Sequence, residues 1–69
     1  MKAKELFEEL DFKLDEDYDF VVWRYNDFPK CDIYFFHQNN IEIDTEYGVS
    51  ISLLKAINKQ IEELGWLDD

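Results

Sequence analysis

Residues 18–45, YDFVVWRYNDFPKCDIYFFHQNNIEIDT, decide the fold. Tyr18 to Tyr25 and Cys31 to His37 are dense in aromatic and β-branched residues, which fit a pleated, half-buried surface better than a helix. Between them Asn26-Asp27-Phe28-Pro29-Lys30 supplies turn chemistry, with Pro29 fixing φ. Gln38-Asn39-Asn40 suits a tight hairpin, because Asn tolerates positive φ. Ile41 to Thr45 has the cleanest alternation in the chain: Ile41, Ile43 and Thr45 face one way, Glu42, Asp44 and Glu46 the other. Loops this short join strands as an antiparallel meander.

Helical patterns flank this block. Ala3, Leu6, Phe7 and Leu10 recur at i, i+3, i+4 and i+7, the spacing of one helix face. Two turns are marginal alone, so this helix must dock to persist. Phe12 and Leu14 continue the docking as the chain leaves it, and Asp15-Glu16-Asp17-Tyr18-Asp19 reads as a solvated loop. Near the other end Leu54, Ile57, Ile61 and Leu64 form an apolar stripe, with Leu53 and Ala56 alongside and Ser50 or Ser52 as N-cap. Gly65 stands where a C′ glycine belongs, and Trp66 follows at C″. The expectation is one α+β domain over residues 1–69, in the order α-β-β-β-α: a three-stranded antiparallel meander with two flanking helices.

The strand faces bear most directly on function. Phe20 and Val22 share one face of the first strand; Val21, Trp23 and Tyr25 share the other. In the second strand Ile33 and Phe35 lie opposite Tyr34 and Phe36. Both strands are apolar on both sides, whereas an exposed strand face is normally polar. Two short helices cover one face of three strands and hardly both. Either the helices split between the faces, or an aromatic patch of Val21, Trp23, Tyr25, Tyr34 and Phe36 stays open. Such a patch is then covered by Trp66, Leu67 and the N-terminal segment, by a second copy in a homodimer, or by a different protein. Trp and Tyr are the residues most enriched at binding hot spots.

With 69 residues the chain has room for one small core and none for an enclosed cofactor cavity. Seventeen acids against seven bases give a net charge of −10, which opposes direct contact with phosphate backbones. Glu5, Glu8 and Glu9 interrupt any signal-peptide pattern near Lys2 and Lys4, and no apolar run is long enough to span a membrane. Cys31 is the only cysteine, so the chain forms no internal disulfide; a reduced cytoplasmic setting is expected. The acidity either keeps the domain soluble or steers it to a basic partner, with Asp15, Glu16, Asp17 and Asp19 as the steering group.

Catalytic and metal chemistry finds little purchase. Asp15, Asp17 and Asp19 imitate the start of a calcium loop, but Phe20 occupies the position that needs Gly, and Asn26 the one that needs Glu. His37, the only histidine, lies six residues from Cys31, about 20 Å along an extended strand, so the two form no dyad. No catalytic, metal or cofactor-binding residue is assigned, and the chain is expected not to be an enzyme.

The helical segments Ala3-Lys4-Glu5-Leu6-Phe7-Glu8-Glu9-Leu10 and Leu54-Lys55-Ala56-Ile57-Asn58-Lys59-Gln60-Ile61-Glu62-Glu63-Leu64-Gly65-Trp66 resemble those of small proteins encoded by phages, prophages and other mobile elements of Gram-positive bacteria. The chain departs from them at Asp11, where those proteins often carry Gly. The resemblance implies a bacterial cytoplasm during phage carriage and assigns no functional residues. Together these features point to a small acidic accessory protein that works by protein–protein contact or as a homodimer, without direct nucleic-acid or membrane binding. The alternative is an acidic nucleic-acid mimic that inhibits a host DNA- or RNA-binding enzyme.

Overall fold

The computed structural model describes residues 1–37 and 39–67. Helix α1 (Ala3–Glu9) is followed by strands β1 (Phe12–Leu14), β2 (Val21–Tyr25), β3 (Cys31–Phe36) and β4 (Asn40–Thr45), then helix α2 (Ile51–Glu63). The strands form one antiparallel sheet in the order β1-β2-β3-β4. The meander therefore has four strands rather than three, within the expected α+β class. The added strand is Phe12-Lys13-Leu14, whose apolar-polar-apolar alternation is too short to stand out. It forms because pairing Phe12 with Tyr25 and Leu14 with Trp23 extends the sheet by one edge. Tyr18 and Phe20 stay in the β1–β2 loop, outside β2. Asn39 of the expected hairpin takes φ 63°, and Gln38 lies outside the described residues.

Both helices lie on one face of the sheet. Phe7 and Ala3 of α1 and Leu53, Ala56 and Ile57 of α2 share a core with Trp23, Ile33 and Phe35. Phe7 is its hub: fully buried, stacked on Trp23 at 4.7 Å between ring centroids, and edge-on to Phe12 at 5.6 Å and Phe35 at 6.4 Å. Burying a side chain of this size stabilises by roughly 1.5–3 kcal/mol. The Trp23 indole Nε1 donates to Gln60 Oε1 at 2.9 Å, so a buried polar pair ties α2 to β2. Gln60 thus belongs to the buried stripe of α2, while Leu54 is 44% exposed.

The helix ends follow local chemistry. Ser50 Oγ accepts from Leu53 N at 3.1 Å and starts α2. Its end is a complete Schellman motif: Gly65, at φ 76°, donates to Glu62 O, and Trp66 N donates to Ile61 O. Trp66 folds back to 6.3 Å from the Phe35 ring. At α1 the left-handed residue is Asp11, with φ 67°, the place glycine favours. The first turn of α1 borrows an acceptor from the other helix, since Ala3 N donates to Glu63 Oε2 at 2.6 Å. Glu63 opposes the dipole of α2 but complements that of α1.

Candidate functional site: an arginine-centred aromatic sheet face

Directly paired residues of adjacent strands share a face. Val21 pairs with Phe35 and Trp23 with Ile33, so Val21, Trp23 and Tyr25 lie under the helices. Tyr34 pairs with Val22, and both lie on the opposite, uncovered face with Phe36 and Arg24. The five residues expected to form one patch are therefore split between two faces. Trp23, at 2% exposure, is core and offers no contact surface. The cause is register: the connection 26–30 sets odd positions of β2 against odd positions of β3, and the expected patch combined odd with even.

The uncovered face has two halves. The aromatic half is built by Tyr34 and Phe36, stacked at 5.7 Å with 5° between planes, and by Phe20, which leans on Phe36 at 5.0 Å. Tyr18 lies 5.1 Å from Phe20, and His37 6.0 Å on its other side. Val22 is fully buried with no helix above it, so side chains of its own face cover it. The loop residues Tyr18 and Phe20 thus act as part of the sheet surface.

The polar half is an ion ladder across the strands. Arg24 Nε donates to Asp15 Oδ2 at 2.7 Å, and Nη1 to Asp32 Oδ2 at 2.9 Å. Nη1 also donates to the Tyr34 hydroxyl at 3.2 Å, and the guanidinium carbon lies 5.5 Å from the Tyr34 ring centre and 5.8 Å from that of Tyr18. Lys30 continues the ladder, with Nζ 2.9 Å from Asp44 and 3.7 Å from Asp32. The ladder follows from exposure: Asp32 is buried, and a buried carboxylate needs a cation. Donation from Arg24, then from the Asp17 N–H, holds the Asp15 carboxyl below the usual range. The hydrogen bonds to Asp15 and then to the Tyr34 hydroxyl hold Arg24 protonated more firmly than usual, and the one to Asp44 does so for Lys30.

The acidic loop is accordingly divided. Asp15 is a structural partner of Arg24, whereas Glu16, Asp17 and Asp19 are exposed. Asp19 Oδ1 lies 3.7 Å from His37 Nε2. Arg24, Asp32, Tyr18, Phe20 and Val22 were not singled out from the sequence as site residues. One signal was available: Arg24 and Asp32 are single charges inside otherwise apolar strands, as a paired charge on a partly buried face requires.

Cys31 faces the helix side, where burial pushes its thiol up. Among the described residues no group of three or more His, Cys, Asp or Glu is placed to hold a metal ion, and no helix is long and apolar enough to cross a membrane. No family model, curated protein or solved structure matches the chain.

Proposed function

We propose that the protein is a non-enzymatic interaction module that docks a basic protein surface on the uncovered sheet face. One observation carries the reading: Phe20, Tyr34 and Phe36, all half-buried, form a contiguous aromatic cluster on the sheet face opposite the helices, bordered by the exposed Tyr18, and among the described residues no helix lies over it. The exposed acids Glu16, Asp17, Asp19 and Glu42 lie on its loop and strand borders. Aromatic rings attract Lys and Arg through their quadrupole, and surrounding carboxylates steer such partners in. Arg24 is committed to Asp15 and Asp32, so it offers no free cation for a phosphate. The likeness of the chain ends to phage and prophage proteins supplies the setting: an accessory protein in a bacterial host cytoplasm.

The test is affinity for an oligo-arginine peptide, compared between the native chain and the variants Phe20→Ala and Phe36→Ala, each checked for native circular dichroism. Both variants are expected to weaken binding about tenfold, the scale of a stacked aromatic contact in an interface. Unchanged affinity in both variants, together with binding that collapses as salt is raised, overturns the reading. That result supports the acidic nucleic-acid mimic instead, because mimicry depends on charge and not on the rings.

A further inference from the structure

Ile33 and Ile43 face each other across β3 and β4 on the helix side, yet Ile33 is fully buried and Ile43 is 39% exposed. The helix layer therefore runs out above β4. That strand is also the end of the sheet order, so along the outer side of residues 41–45 the backbone groups turned away from β3 meet no further strand among the described residues. Its two side-chain rows differ sharply. The helix-side row is Ile41, Ile43 and Thr45; the opposite row carries Glu42 and Asp44, both exposed. A shallow cavity of about 250 Å³ lies over the end of the sheet beside the start of α2, lined by Phe12, Tyr25, Cys31, Thr45 and Leu53 among others, and so runs inward from β4 and not outward from it.

We propose that β4 is a strand-addition site for an extended segment of another protein in which aliphatic residues alternate with Lys or Arg. Main-chain hydrogen bonds to the outer edge of residues 41–45 supply affinity, and the alternating rows supply specificity. Aliphatic side chains of the incoming strand continue the core past Ile43, and its basic side chains meet Glu42 and Asp44. A second copy of this chain does not fit the edge. Antiparallel pairing of β4 with itself sets Glu42 against Asp44 of the other copy, and like charges directly opposed destabilise a sheet. Asp44 already shares Lys30, so Glu42 is the carboxylate with most to gain from a new cation.

The main-chain contacts lie on the edge and only Glu42 is shared with the face proposed above, so the response to Phe20→Ala and to N-methylation tells the two sites apart. The probe is a capped peptide of alternating valine and lysine, about eight residues long to match a typical strand. Hydrogen exchange is followed at the β4 amides, and the assay is repeated with peptides N-methylated on one or the other alternate set of residues. The expected result is protection of β4, binding retained by one methylated peptide and lost by the other, and no effect of Phe20→Ala. Glu42→Lys, an exposed change, is expected to weaken the lysine peptide about threefold to tenfold and to favour a valine–glutamate peptide instead. Equal binding of both methylated peptides, no binding at millimolar peptide, or protection elsewhere overturns the proposal. So does a peptide-free dimer whose β4 amides are already protected, because a second copy then holds the edge.

Discussion

Replacing Gln60 with Leu tests how α2 is attached to the sheet. Trp23 is 2% exposed and Gln60 8%, and the 2.9 Å bond between them joins β2 to α2. Leucine fills similar space but removes the acceptor, so the indole N–H is left buried and unpaired. An orphaned buried donor costs about 1–3 kcal/mol. For a domain of this size each kcal/mol moves the melting temperature by about 4–8 °C, so a loss near 2 kcal/mol lowers it by about 8–16 °C. Trp23→Phe removes the donor and part of the stack on Phe7, which also destabilises. In the double variant the unpaired donor no longer exists, so the two losses are expected to fall short of additivity by about 1–2 kcal/mol. Urea unfolding followed by far-ultraviolet circular dichroism measures all four proteins without relying on Trp fluorescence. A Gln60→Leu protein as stable as the native chain, or strictly additive losses, would refute the reasoning. The indole would then not be sealed beneath α2, and the helix layer would not lie where it is described.

Further outcomes follow from single contacts. Glu63→Ala removes the acceptor from Ala3 N at the start of α1 and is expected to cost about 1 kcal/mol in urea unfolding, the scale of a lost N-cap. Asp11→Gly relieves a left-handed residue and is expected to stabilise by about 0.5 kcal/mol, less than a bare site would gain because Asp11 Oδ1 also accepts from Asn26 Nδ2. The folded Asp15 carboxyl sits below its unfolded value of about 4, so its contribution with Arg24 is complete above that pH and is lost as pH falls through the folded value. Acid unfolding of Arg24→Gln, compared with the native chain, is expected to lack that part of the slope. Cys31, with its thiol buried and raised, is expected to react with a disulfide reagent only as fast as the protein opens, so labelling speeds up sharply in urea.

The helices were legible because their ends carry local chemistry. Ser50 caps, Gly65 turns left-handed and Trp66 folds back, all signals held within a few residues. β4 was legible because one of its faces is polar, which leaves a single way to orient it. β2 and β3 defeated the same logic: with apolar residues on both faces, alternation separates two rows but does not say which row of one strand meets which row of the next. That depends on the five-residue connection from Asn26 to Lys30, whose register pairs Val21 with Phe35. Trp23 was therefore expected on a surface and lies in the core. β1 escaped notice because three residues carry too little pattern; pairing with β2, not intrinsic propensity, makes it a strand. The Arg24 ladder brings together residues from Asp15 to Asp44, a juxtaposition that only the folded sheet creates.

The central claim is that the uncovered face is the contact surface, and ring-carbon chemical shifts during titration with an oligo-arginine peptide test it most directly. The expected result is that the rings of Phe20, Tyr34 and Phe36 shift together while Trp23 and Phe7, sealed between helices and sheet, do not. Shifts confined to the helix side near Glu8, Glu9 and Glu62, with the rings of the uncovered face unmoved, would contradict it.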